Sequence, residues 1–257
     1  MTDNEEEGLT NTRERDVRIL LDLLSHDINN HVYSSMGYLE LIESLVEDDE
    51  KLRRYLSFSM SELKSISHLV DNVKLLMDLK DDPFTGEPVD LHESVMSAAE
   101  AARYQMDDKE LKLTLGFSTS ECNLRADRFL NHLLTQLLLN SMKYSRNGIA
   151  HVKIDAKREG DRFMIIYEDD GTGIPDNLKD GVFTRFERSI REGDVHGKGM
   201  GLSVVYNVSK RYGGDITIED VTENGEVIGT RFGFILPAWT GNSGDAGDCS
   251  ENGEPFP

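Results

Sequence analysis

Three separated stretches of this 257-residue chain carry the residue types that hold a nucleotide. The first is Asn140-Ser141-Met142-Lys143-Tyr144, at the end of an apolar, helix-forming run. An amide oxygen such as that of Asn140 is a neutral hard ligand able to complete an octahedral Mg2+ shell otherwise filled by phosphates and water, and Lys143 can meet phosphate charge. Taken alone, an Asn near a helix end is more often a cap. The second stretch is Glu168-Asp169-Asp170-Gly171-Thr172-Gly173-Ile174-Pro175, directly after a strand-like run. A carboxylate at a strand end can accept from an exocyclic amine such as that of adenine, and the two glycines let the backbone pass close to a ring. The same residues alone read as an ordinary Asp-Gly turn. The third is His196-Gly197-Lys198-Gly199-Met200-Gly201-Leu202-Ser203, a polar glycine loop running into a helix. That arrangement offers free backbone N–H groups and a helix dipole to phosphate, although it departs from the P-loop pattern and from the dinucleotide fingerprint. Each stretch is ambiguous by itself, but their order is hard to obtain by chance.

The elements that must position these stretches fall into two textures. From Asp16 to Val46 apolar residues recur at helical spacing through Leu20, Leu24, Ile28, Val32, Leu39 and Ile42. After the charged connector Glu47-Asp48-Asp49-Glu50, a second helical run reaches about Lys80, where Asp81-Asp82-Pro83 stops it. Such a hairpin, residues 14–82, cannot bury its own apolar stripes, so a dimeric four-helix bundle is the expected all-α solution. Beyond a turn-rich linker, Pro83 to Pro88, residues 83–239 alternate helices and short strands. The pattern predicts helices over Leu91–Met106, Asp127–Tyr144 and Gly201–Tyr212. Strands are predicted over Leu111–Phe117, Cys122–Ala126, Ala150–Lys157 and Arg162–Glu168, with a hairpin over Asp215–Leu236. This is an α/β sandwich: helices on one face of a mixed sheet. Residues 1–13 and 240–257 are polar and without periodicity, and are expected to be disordered.

Acidic residues outnumber basic ones 48 to 28, a net charge of -20, which excludes nucleic-acid binding through a general basic surface and disfavours contact with anionic membranes. No apolar run approaches the ~20 residues of a membrane span, and the N-terminus is unlike a signal peptide, so a cytoplasmic location is expected, free or as part of a larger membrane-bound receptor. Cys122 and Cys249 lie in unlike contexts, which argues against a structural disulfide.

In that order the three stretches resemble the N, G1 and G2 boxes of the Bergerat-type ATP-binding fold shared by histidine kinases, type II topoisomerases, mismatch-repair ATPases and heat-shock chaperones. Val182-Phe183-Thr184-Arg185-Phe186-Glu187-Arg188 resembles the kinase F box, which would make residues 189–198 a lid over the triphosphate. Ser25-His26-Asp27-Ile28-Asn29-Asn30, on the first long helix, is similar to the H box of sensor histidine kinases. Some archaeal kinases carry a similar H-D-x-x-N box, and the acidic composition would suit a high-salt archaeal source. The sequence departs from the commoner pattern at His31, where a helix-kinking Pro is usual, and at Asn29, where a basic residue is usual.

The resemblance implies a protein histidine kinase core that uses ATP and Mg2+. Adenine would sit on Asp169, with Gly171, Gly173, Ile174, Tyr144 and Phe183 around it, and Mg2+ on Asn140. Phosphates would lie under Lys143, Lys198 and the loop formed by Gly197, Gly199, Met200, Gly201 and Leu202. His26 would take the γ-phosphoryl with Asp27 holding its far ring nitrogen, then pass it to an aspartate of a receiver-domain partner. Asn30, one helical turn after His26, would orient water for the reverse, phosphatase reaction. Superfamily ATPases carry a carboxylate four residues before the Asn; here that position is Gln136, which is neutral and cannot act as a base. A binding-only scaffold for receiver domains and an ATPase-type switch are the rival readings.

Overall fold

The computed structural model describes residues 3–46, 49–117, 122–179, 181–183 and 200–241. They divide into two compact units, with the boundary between Asp81 and Asp82.

The first unit is a helical hairpin. Helix α1 spans Asp3–Leu45 and α2 spans Glu50–Asp81. Helix starts at Asp3, so residues 3–13 are helical rather than disordered. Once a helix is nucleated each added residue costs little, and no proline lies between Asp3 and Leu45 to stop propagation toward the N-terminus. Asp49 caps α2 by accepting from the Leu52 N–H at 3.0 Å. The helices run antiparallel, since Asp22 pairs with Lys74 and Asn29 with Asp71, each at 3.3 Å, while Arg53 donates to the Val46 carbonyl. Val32, Leu56 and Leu75 are buried between them, and Ser67 donates to the Asn29 amide oxygen at 3.1 Å. Many other apolar side chains stay exposed, among them Leu23, Tyr38, Leu41, Leu45 and Tyr55.

The second unit is a two-layer α/β domain. Its five-stranded sheet has the order β2-β4-β5-β7-β6, from Glu110–Leu115 (β2), Ile149–Glu159 (β4), Arg162–Asp169 (β5), Ile216–Glu223 (β6) and Glu226–Pro237 (β7). The β2–β4 pair is parallel and the others antiparallel, so the sheet is mixed. Period-two alternation buries Phe163, Ile165 and Tyr167 of β5 and Phe232, Phe234 and Leu236 of β7 on one face. Against that face lie α3 (Leu91–Gln105), α4 (Phe129–Lys143) and α6 (Met200–Arg211), with Leu130, Leu133, Leu137 and Leu138 of α4 at the centre. A single turn, α5, covers Asp176–Lys179 after Pro175. The β6–β7 hairpin turns at Asn224 and Gly225, both with positive φ, as an Asn-Gly hairpin turn requires.

Two further features depart from expectation. Part of the segment read as linker forms strand β1 (Glu87–Asp90), which pairs antiparallel with β3 (Asn123–Ala126) in a small second sheet. Pro88 is tolerated there because the sheet has only two strands, leaving one edge of β1 unpaired. Cys122 is disulfide-bonded, although its sequence context argues against a structural disulfide; the residues flanking a cysteine do not fix whether its thiol pairs. Cys249 and the expected disorder of the tail beyond Gly241 lie outside the described residues.

At its C-terminal end α6 is tied to the start of the domain. Arg211, nearly buried, pairs with Asp127 at 2.7 Å and donates to the carbonyls of Asp82 and Pro83. The opposite end of α6 begins at Met200, so Met200, Gly201 and Leu202 of the expected glycine loop form its first turn.

Candidate nucleotide-binding and phosphoacceptor sites

Antiparallel pairing carries β5 up to Asp169, opposite Thr230 of β7. The Asp169 carboxylate is part-buried and surrounded by donors: Oδ1 accepts from the N–H groups of Gly171 (2.9 Å) and Thr230 (3.3 Å), and Oδ2 from the Ser141 hydroxyl (3.1 Å). Burial raises its pKa above the ordinary carboxylate value, and the two backbone N–H groups and Ser141 oppose that rise. Asp170 faces elsewhere, accepting from the His151 N–H at 2.9 Å and lying 2.7 Å from the His151 ring nitrogen Nδ1.

The backbone around Asp169 is close-packed. A Cβ at Gly229 would overlap the Asp169 carbonyl oxygen, so β7 passes nearer to β5 here than a side chain permits. Gly229→Ala is therefore expected to lower the thermal midpoint by several degrees and to weaken nucleotide binding, read by thermal denaturation with and without ADP. Gly173 has φ +77 and packs against Val227, which explains the glycine there. The loop between is fastened by Arg146, which donates to the carbonyls of Gly171 (3.3 Å) and Val227 (2.6 Å), and by the Thr172 N–H donating to the Tyr144 carbonyl (3.2 Å).

Asn140 stands at the last turn of α4, one residue before Ser141. Its Nδ2 is buried and has no hydrogen-bond partner. A Cβ on Gly201 would come 3.5 and 3.7 Å from the Asn140 amide atoms and 2.7 Å from Gln136 Oε1. The buried Asn140 amide thus packs against the backbone of Gly201 at the N-terminus of α6, where a side chain would collide with Gln136. The same side chain carries an amide oxygen, a neutral hard donor of the kind that fits a hydrated Mg2+ carried by phosphates, which needs only one or two protein oxygens.

Among the other expected contacts, Tyr144 and Lys143 are exposed, the ammonium 5.7 Å from the Tyr144 ring centre. Ile174 and Leu202 are half-buried, and Met200 is buried at the start of α6. Phe183 stacks on Tyr206 of α6 at 5.5 Å, and its carbonyl accepts from Ser203. Gly197, Lys198 and Gly199, the remainder of the F box from Thr184 and the lid lie outside the described residues. Sequence reasoning missed Ser141, Tyr167, Thr230 and Arg146. Ser141 had a signal, a polar residue inside the apolar run Leu137, Leu138, Met142, and so had Tyr167, a buried phenol that needs a partner. Thr230 acts through its backbone and had none.

On the hairpin, His26 is exposed, with 74% of its side chain open to solvent. Its Nδ1 lies 3.3 Å from Asp27 Oδ1 and 3.1 Å from Asn30 Nδ2, and its Nε2 is 3.4 Å from the same amide. When Nδ1 carries the proton it donates to Asp27 and leaves the Nε2 lone pair available.

The two-layer fold and the residues around Asp169 resemble an ATP-binding domain of the Bergerat type. Residues 126–240 match the family described as histidine kinase-, DNA gyrase B- and HSP90-like ATPase. The histidine-protein kinase/phosphatase MprB of Mycolicibacterium paratuberculosis is 26% identical over 241 residues, covering 90% of this chain and 44% of the relative. The sensor histidine kinase AruS of Pseudomonas aeruginosa is 28% identical over 245 residues, covering 90% of this chain and 24% of the relative. The chain therefore spans less than half the length of these two relatives. In fold it is similar to the Acinetobacter baumannii histidine kinase AdeS, with a TM-score of 0.53 and 20% identity over 80% of this chain and 94% of that one. It is also similar to full-length ShkA, with a TM-score of 0.58 and 20% identity over 91% and 46%. The chain is thus similar to sensor histidine kinases along most of its length, and its second unit carries the match to the ATPase family. No described helix is long and apolar enough to cross a membrane.

Proposed function

We propose that the chain is a protein histidine kinase core that phosphorylates His26 from Mg-ATP and hands the phosphoryl group to a receiver-domain aspartate. The observation that carries this reading is an exposed imidazole flanked by a carboxylate, in a chain whose other unit holds a part-buried carboxylate ringed by donors and a buried Asn amide with no partner for its nitrogen. Asp169 accepts the adenine amine, and Asn140 would hold the metal through its amide oxygen. Lys143 and Lys198 meet phosphate charge. Bound Mg2+ supplies neutralisation of charge on the phosphates. Nε2 of His26 attacks the γ-phosphorus in line, forming the N–P bond as the bond to the β,γ-bridging oxygen breaks and ADP leaves. Asp27 keeps the Nδ1 proton and stabilises the imidazolium that results. Gln136 lacks the charge to act as a base for water, which favours a protein nucleophile over hydrolysis.

Incubation with γ-labelled ATP tests the reading. Acid-labile, base-stable label on the chain is the expected result; released phosphate alone would indicate an ATPase, and neither would indicate a scaffold. The exposed apolar residues of α1 and α2 support a homodimer that buries them in a four-helix bundle.

Asn30 serves the reverse reaction in this reading, a role in keeping with the kinase/phosphatase name of one relative. Its amide touches the imidazole and is exposed, so it can orient water toward a phosphorylated receiver docked at His26. Asn30→Ala is expected to leave autophosphorylation within about twofold and to prolong the phosphorylated receiver about tenfold, the effect of losing one positioned hydrogen bond. The measurement is receiver dephosphorylation with ADP, wild type against variant; equal decay, both faster than the receiver alone, would rule the role out.

A further inference from the structure

The buried side chains behind Asp169 do more than fill space. Tyr167, on the strand leading into Asp169, is only 1% exposed, and its hydroxyl lies 2.6 Å from Ser141 Oγ. Ser141, 2% exposed on α4, lies 3.1 Å from both Asp169 Oδ2 and the Leu137 carbonyl. Each hydroxyl has one proton. Tyr167 therefore donates to Ser141, and Ser141 has one donation to direct. A charged acceptor makes the stronger bond, and a part-buried carboxylate oxygen left without a donor is costlier than a helix carbonyl already bonded within its helix.

The donor count then decides what Asp169 can bind. Oδ1 takes two backbone N–H groups and Oδ2 takes Ser141, so one lone pair on Oδ2 remains for an external donor. A purine with a 6-amino group fits that vacancy; one with a 6-keto oxygen meets acceptor with acceptor. We propose that Tyr167 and Ser141 form a donor relay that keeps Asp169 an acceptor and thereby sets selectivity for adenine over guanine. Both are positioning residues, since neither touches the base itself, and the inference rests on the placement of adenine at Asp169.

Without the relay the carboxylate retains its desolvation and loses one of three donors. Burial already pushes its pKa up, and Tyr167, whose own pKa burial raises well above the ordinary phenol value, stays a donor throughout the working range. Binding of a 6-amino purine needs the ionised carboxylate, so affinity is lost as pH falls through the Asp169 pKa; raising that pKa moves the loss to higher pH. A protonated Asp169 also becomes a donor that the guanine 6-oxygen can accept.

The test is calorimetry of Mg-ADP and Mg-GDP binding to the full chain between pH 6 and 8, for wild type, Ser141→Ala and Tyr167→Phe. Ser141→Ala is expected to bind ADP within about threefold of wild type at pH 8, since the bond it loses lies inside the protein in the free and bound states alike, and to fall about tenfold below wild type toward pH 6, where the raised Asp169 pKa removes the acceptor. Its preference for ADP over GDP should narrow by a similar factor. Tyr167→Phe keeps the core volume and should shift both readouts the same way by about threefold. A merely structural role lowers affinity equally at every pH, so variant profiles parallel to wild type with unchanged base preference would overturn the relay. Asp169→Asn serves as the control: ADP affinity unchanged in that variant would overturn the adenine placement itself, and the selectivity inference with it.

Discussion

His26→Gln is expected to remove the acid-labile phosphoryl label altogether, a loss of at least about a thousandfold, while ADP binds as before. The glutamine amide nitrogen shares its lone pair with the carbonyl and cannot attack phosphorus, so no nucleophile remains at that position. The fold has little reason to respond. His26 is exposed on α1, its contacts are to Asp27 beside it and Asn30 one turn on, and exposed pairs of that kind contribute only a few tenths of a kcal/mol. Glutamine is also at least as good a helix former as histidine. Autophosphorylation with γ-labelled ATP, read beside ADP calorimetry on the same preparation, checks both halves. Acid-labile label persisting on the variant would move the phosphoacceptor elsewhere.

Asp169→Asn is expected to weaken Mg-ADP binding about a hundredfold or more while leaving the thermal midpoint unchanged or slightly raised. The two effects have opposite origins. For binding, the backbone N–H groups of Gly171 and Thr230 hold the single amide oxygen at the Oδ1 position, which turns the NH2 toward the base. Donor then faces donor, and a site built for one hydrogen-bond pattern rejects its mismatch. For stability, the ionised carboxylate is the form that burial penalises, so a neutral amide relieves a cost that the apo domain carries. Loss of binding together with a fall in midpoint would indicate a damaged fold; unchanged binding would place the adenine elsewhere.

Local pattern was enough for much of this molecule. The strands β4 and β5 and helices α3, α4 and α6 lie within two residues of their expected ends, because a continuous apolar period is a property of the segment itself. Asn140, Asp169 and Gly201 could be singled out for the same reason, since each carries its chemistry in its residue type and sits at an element end. The order of the boxes then tied them to one superfamily.

What tertiary structure alone decided is everything that depends on partners distant in sequence. Strand β1 exists because β3, more than thirty residues on, offers it a ladder; Glu87-Pro88-Val89-Asp90 has no strand signal of its own. The state of Asp169 is set from three directions, by Gly171 two residues away, Ser141 from α4 and Thr230 from β7, and the last contributes only a backbone N–H that any residue but proline would supply. Hydrogen bonds to a buried charge are short-ranged and geometric, so residue types can announce that a carboxylate will bind something, but only the packed sheet and helix determine which lone pair is left to do it.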